Sequence, residues 1–158
     1  MTLERKFKII YSLIILLSIS SICYAFFVEY ILGYKPCILC KYQRMPYILG
    51  LVLGLIGFIE TLNKRIIFFT FLTFLISMTL SGYHVGIEQE LYHSIFNCSD
   101  NNLGVLEKGK LLESLKVINP DCRNVNFAVF GVSLATINFV LSFVISSVSY
   151  YLYSYAKN

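Results

Sequence analysis

The chain has 158 residues, of which 57% are hydrophobic and 14% charged, with a formal net charge of +4 and a mean hydropathy of +0.70. A soluble domain this small buries too little of its surface to hide so much apolar area, so lipid must be part of its solvent. The length favours a single domain, residues 1–158, and the chain shows no repeats, low-complexity tracts or Pro/Gly-rich linkers that would divide it.

The apolar runs predict four membrane spans, at about residues 7–28, 41–59, 66–85 and 125–153. A crossing helix needs about 20 apolar residues, and the first, third and fourth runs supply them outright. The second run is continuous only from about residue 45 to 59. It reaches span length only if the polar turn from Cys40 to Arg44 joins its outer end. Pro46 opposes that, because the residue before a proline is biased away from helix, so the helix could instead begin there. The expected fold is an all-α four-helix transmembrane bundle with two extracytoplasmic loops, at about residues 29–41 and 86–124. In the second loop Leu111, Leu112, Leu115 and Ile118 recur at helical spacing among charged residues. That pattern predicts a short amphipathic helix, lying on the membrane surface or packed on the bundle.

Arg5, Lys6 and Lys8 precede the first span, Lys64 and Arg65 separate the second from the third, and Lys157 follows the fourth. The positive-inside rule then puts both termini in the cytoplasm. On the opposite side basic and acidic residues balance, so the net charge reflects topology and gives no reason to expect nucleic acid binding. The first apolar run is longer than the core of a secretory signal and continues past Ala25, so it is read as a retained span.

Four of the five cysteines then share the extracytoplasmic side, where disulfides persist. Cys37 and Cys40 form a C-x-x-C unit in the first loop. Exposed or strained bridges of this kind are the labile, oxidising ones, and a helix start beneath them would favour thiolate. The i, i+3, i+7 spacing of Cys37, Cys40 and Arg44 would bring the guanidinium onto the same face. There it could hold a carbonyl oxygen of a bound acceptor. A purely structural bridge across so short a loop would constrain little of the unfolded chain. A zinc site would want a second close pair, whereas Cys98 and Cys122 are about 24 residues apart with no His beside either. No metal is therefore expected. Bridging Cys98 to Cys122 could stabilise its loop by roughly 3 kcal/mol, or the pair could serve a relay with the first.

Three residues within the spans complete the inventory. Cys23 is expected to be buried as a small apolar residue. His84, near the outer end of the third span, is a candidate for ligand contact. Asn138, in the fourth span, is a candidate for an interhelical hydrogen bond. No G-x-G-x-x-G follows a strand, so a dinucleotide acceptor is not indicated.

Three motifs resemble the disulfide bond formation protein B (DsbB) family, and together they cover nearly the whole chain. Pro36-Cys37-Ile38-Leu39-Cys40-Lys41-Tyr42-Gln43-Arg44 is similar to its C-x-L-C-x-x-x-R signature. Tyr83-His84-Val85-Gly86-Ile87-Glu88-Gln89 resembles the motif closing the family's third span. The segment Phe130-Gly131-Val132-Ser133-Leu134-Ala135-Thr136-Ile137-Asn138 resembles the motif opening its fourth, with Leu134 for the usual Met and Ile137 for the usual Trp.

The resemblance implies a quinone-linked thiol oxidase of the bacterial inner membrane with its active cysteines in the periplasm. A reduced DsbA-like thioredoxin-fold protein would attack the Cys98–Cys122 disulfide at Cys98, and electrons would pass to Cys37–Cys40. The Cys40 thiolate would then meet ubiquinone or menaquinone, oriented by Arg44 with His84 nearby. Thiol exchange proceeds through mixed disulfides, so a loop pair suits a bulky protein donor and a pair at the membrane surface suits a lipid-dissolved acceptor. Vitamin K epoxide reductases are similar four-helix thiol–quinone proteins, but there the loop cysteines precede the C-x-x-C, whereas here they follow it. The non-enzymatic alternative is a membrane scaffold with two structural disulfides.

Overall fold

The computed structural model describes residues 3–91, 128–129 and 131–157. Cys98, Cys122 and the amphipathic segment expected at 111–118 lie outside the described residues. Helix α1 (Leu3–Phe26) continues as a π-helical turn (Phe27–Ile31), followed by α2 (Ile38–Ile59) and α3 (Lys64–Glu88). A two-residue hairpin, β1 (Ala128–Val129) and β2 (Val132–Ser133), leads into α4 (Leu134–Lys157). All four helices are long and apolar enough to cross a membrane. Even α2, with 22 residues, measures about 33 Å at 1.5 Å per residue, enough for the roughly 30 Å hydrocarbon layer. The four-helix membrane bundle expected from the apolar runs is the observed architecture.

Three boundaries differ from those expected. Helix α2 starts at Ile38 rather than 41, and it runs through Pro46. Cys37 takes an extended backbone (ψ 169°) as its N-cap, and its Sγ accepts the Cys40 N–H at 3.2 Å, satisfying one of the donors that a helix start leaves open. Proline then removes only one rung, the bond to the Tyr42 carbonyl, a loss that membrane helices tolerate. The first outer loop is shorter than expected, because Glu29 belongs to the π-helical turn. Gly33, at φ +75°, ends that turn, with the Tyr34 N–H reaching back to the Val28 carbonyl at 3.2 Å. The fourth span begins at Leu134 rather than 125. Gly131, at φ +82°, reverses the chain so that Ala128 pairs with Ser133 and Val129 with Val132. The Ser133 hydroxyl then caps α4 by accepting the Thr136 N–H at 3.2 Å.

At the other end of the bundle α2 and α3 meet in a tight turn. Asn63 caps α3 by accepting the Arg65 N–H at 3.1 Å and donates to the Glu60 carboxylate at 2.8 Å. Helix α3 packs along α4 and on α2, and α1 packs along α2. The outer surface is apolar, as at Leu16, Leu55 and Ile59, while Ser18, Thr70, Ser77, Ser81 and Ser142 are buried. Lipid is as apolar as leucine, so helices associate through close packing and hydrogen bonds. Ser77 and Ser142, for example, bond across α3 and α4 at 2.8 Å. The larger core side chains are Phe7, Tyr11, Ile14, Tyr47 and Phe74. Cys23, expected inside, is exposed on α1, where the surrounding lipid offers a small apolar side chain the same environment.

The contacts of α2 with α1 and α3 depend on absent side chains. A Cβ on Gly57 would sit 2.3 Å from the Tyr11 ring, and one on Gly50 would sit 2.7 Å from Phe74. Tyr11 is 1% exposed and has no room to retreat. Gly57→Leu is therefore expected to destabilise the bundle by at least about 1–3 kcal/mol, the usual cost of overpacking. A lower thermal midpoint in detergent would be the readout, and an unchanged midpoint would contradict the packing described.

Candidate active site

The first turn of α2 brings both C-x-x-C sulfurs to the end of the bundle formed by the π-helical turn, the α3 C-terminus and the α4 N-terminus. The Cys37 and Cys40 Sγ atoms are 2.7 Å apart. Cys37 is buried at 4% exposure beside Leu39 and Ile87, with Cys40 half-buried against that cluster. As N-cap, Cys37 receives both a backbone N–H and the positive end of the helix dipole, an environment that favours a thiolate.

His84 reaches the same sulfur from α3. Its Nε2 is 3.7 Å from Cys37 Sγ, and its Nδ1 is 3.2 Å from the Gln43 Nε2. A carboxamide N–H donated to Nδ1 leaves the ring proton on Nε2, aimed between Cys37 Sγ and the Glu88 carboxylate, also 3.7 Å away. The chain Gln43–His84–Cys37 thus fixes the ring's orientation and gives the sulfur a polar neighbour.

Arg44 lies one turn beyond Cys40. Its Nη1 donates to Glu29 Oε2 at 2.5 Å, each side chain being about a fifth exposed at 19% and 22%. The guanidinium lies 5.3 Å from the centre of the Phe26 ring, a cation–π distance. A charge at a lipid boundary is costly unless paired, and Glu29 supplies the pair. Tyr47, another turn along, donates to the Asn138 carboxamide oxygen on α4 at 2.5 Å, which is the interhelical bond expected of Asn138.

These side chains surround one cavity of about 510 Å³, whose wall includes Cys37, Cys40, Arg44, His84, Glu88 and Asn138. Leu134 and Ile137 also line it, so both departures from the family motif fall on the cavity wall. Of the six residues expected from the sequence to form the site, Cys37, Cys40, Arg44 and His84 come together here, joined by Asn138, while Cys98 and Cys122 lie outside the described residues. Sequence reading missed Gln43, Glu29 and Glu88 as site residues. The available signal was a charged residue at the edge of each apolar run, together with Gln43 three residues beyond Cys40.

The sequence profile of the disulfide bond formation protein DsbB family matches residues 7–152. The chain belongs to the DsbB family. Among related proteins, an uncharacterized protein of Rickettsia prowazekii is 27% identical over 145 residues, covering 88% of this chain and 83% of that one. A disulfide bond formation protein B of Xylella fastidiosa is 26% identical over 121 residues, covering 72% and 70%. As a DsbB-family member the chain is a multi-pass membrane thiol oxidoreductase of disulfide bond formation.

The ion pair between Glu29 and Arg44 generates an expectation of its own. Glu29→Gln leaves the guanidinium with a neutral partner at the lipid boundary. The cost should fall between that of an exposed pair and a buried one, about 1–3 kcal/mol. Thermal unfolding in detergent at low and high salt measures it. A loss that disappears in high salt would mean that the pair is only a screened surface contact.

Proposed function

We propose that this DsbB-family protein reoxidises a DsbA-like thioredoxin-fold protein of the periplasm and delivers the electrons to a membrane quinone, ubiquinone or menaquinone. The partner's thiolate attacks the Cys98–Cys122 disulfide at Cys98. Resolution of that mixed disulfide leaves the partner oxidised and Cys98 and Cys122 as thiols. Exchange with the Cys37–Cys40 disulfide restores Cys98–Cys122 and reduces the C-x-x-C pair. Two electrons and two protons must then leave Cys37 and Cys40 for the pair to close again. The basic residues at the Lys64–Arg65 end of the bundle support cytoplasmic termini and a periplasmic site, in a bacterial inner membrane.

The observation that carries this reading is the pair of touching sulfurs on the wall of a cavity of about 510 Å³ at one end of a membrane bundle. Its residues fit a quinone. The volume suits a substituted ring with part of a tail, the lining is mostly apolar, and Arg44 and His84 provide polar groups at its edge. A quinone supplies a two-electron, two-proton sink. Arg44 would bind and orient a carbonyl oxygen through its donor fork, with Glu29 holding the guanidinium in place. His84 lies between Cys37 and Glu88 and could carry a proton away from the sulfur. Cys40, the more open of the two sulfurs, is the one that meets the acceptor.

Cys37→Ser or Cys40→Ser is expected to abolish quinone-dependent oxidation of the partner while membrane insertion remains intact. Partner oxidation assayed with purified protein and added quinone tests this, and substantial turnover by either variant would remove the pair from the pathway. Arg44→Ala should raise the KM for quinone by about 10- to 100-fold, because a hydrogen bond to a charged group contributes about 1.5–3 kcal/mol and each 1.4 kcal/mol is tenfold. An unchanged KM would take Arg44 out of quinone binding. The scaffold alternative predicts instead that no quinone copurifies and that both bridges resist mild reductants.

A further inference from the structure

We propose that, once reduced, Cys37 and Cys40 form with His84 a three-ligand site for a thiophilic divalent cation of the zinc class, which would hold the pair in its dithiolate form and arrest its turnover. The inference rests on the reading that this pair cycles through a dithiol state.

The donor set is assembled from two elements. The sulfurs stand at the α2 N-terminus and the imidazole near the α3 C-terminus, and their ligand atoms all lie within 4.8 Å of one another. Two cysteines and one histidine form a known zinc set with a coordination position left open. Bond lengths of about 2.3 Å to sulfur and 2.0–2.1 Å to nitrogen put tetrahedral ligands about 3.5 Å apart for S and N, and about 3.8 Å apart for two sulfurs. The Cys37 Sγ to His84 Nε2 distance is 3.7 Å, already suitable. The sulfurs, at 2.7 Å, must separate by about 1 Å, the direction in which two unbonded thiolates repel each other.

The surroundings suit a metal as well. A metal-bound imidazole normally donates its second N–H to a carbonyl or carboxylate. Gln43 already contacts His84 Nδ1, and turning its carboxamide over presents the oxygen to Nδ1–H and frees Nε2 for the metal. The Cys40 N–H to Cys37 Sγ bond survives as support for the thiolate. Charge also favours the complex, because two thiolates neutralise a divalent cation. Glu88 Oε1 lies 3.7 Å from His84 Nε2 and adds a negative charge beside the donor set.

Binding exchanges two thiol protons for one cation and leaves the oxidation state of both sulfurs unchanged. While both sulfur lone pairs are held by the metal, no S–S bond can form. The oxidised pair has no thiolate to offer, so occupancy is gated by redox state.

The test uses the full-length chain in detergent with Cys98 and Cys122 both changed to Ser, so that the loop thiols cannot compete. After reduction, Cd²⁺ is titrated while the thiolate-to-cadmium absorption is followed. The expected result is one Cd²⁺ per reduced chain and none per chain with Cys37–Cys40 oxidised. His84→Ala should weaken binding by at least about 10-fold, since even outer-shell changes cost about 10- to 100-fold, and His84→Cys should restore it. The inference is overturned if the reduced protein takes up no stoichiometric Cd²⁺, if the oxidised protein binds equally, or if both His84 variants match the parent, which would indicate simple dithiol chelation. Cadmium binding is read without quinone or partner. Turnover is assayed separately on the parent chain with all its cysteines. Normal metal-free turnover there without the cadmium pattern sinks the metal site alone, and the cadmium pattern without parent turnover sinks the proposed electron route alone.

Discussion

The hydrogen bond from the Cys40 N–H to Cys37 Sγ marks where α2 begins, and the rest of the site takes its alignment from that point. Starting the helix at Ile38 puts Cys40, Gln43, Arg44 and Tyr47 at i, i+3, i+4 and i+7, a single helical face. Had the helix begun at Pro46, the first three would belong to a loop with no shared direction. One sulfur thus serves as helix cap and as one of the two proposed redox atoms. Chemistry and architecture meet in a residue that would otherwise be free to move.

Lipid imposes the second constraint. Water is unavailable to polar groups within the bundle, so a partner on a neighbouring helix or on the backbone is favoured, although the buried Tyr11, Ser18 and Ser149 hydroxyls have none among the described residues. Arg44 takes Glu29 from the π-helical turn, His84 takes Gln43 from α2, Tyr47 takes Asn138 from α4, and Ser142 takes Ser77 from α3. The first three pairs pin the helices in register at the end where the cavity opens, and the serine pair does so deeper in the bundle. The polar wall of the cavity is therefore part of what holds the helices together. Leu134 and Ile137, where the family usually has Met and Trp, also line the cavity, so an aliphatic side chain replaces the aromatic ring at position 137.

Close approach between helices supplies the remaining cohesion. Gly50 and Gly57 on α2 receive the rings of Phe74 and Tyr11, so aromatic bulk on one helix meets a missing side chain on the next. With an apolar solvent outside, this complementarity replaces the hydrophobic effect as the reason the helices stay together. It also explains why serine and glycine recur at buried positions while many leucines and isoleucines face outward.

Three apolar runs of span length and a shorter one, the C-x-x-C unit and the seven-residue step from Cys37 to Arg44 were legible in the chain itself, because hydropathy and helical periodicity are local properties. The DsbB-like motifs were legible for the same reason. Helix ends were less so: Pro46 argues locally for a later α2 start, and the N-cap contact at Cys37 outweighs it. The fourth span starts at Leu134 because the Gly131 hairpin and the Ser133 cap set its first turn, while hydropathy alone runs smoothly through that region. Bringing His84 to a sulfur 47 positions away, pairing Glu29 with Arg44 and enclosing the cavity between them were decided only by the tertiary structure. Such contacts depend on the packing and rotation of whole helices, which no local pattern of residues encodes.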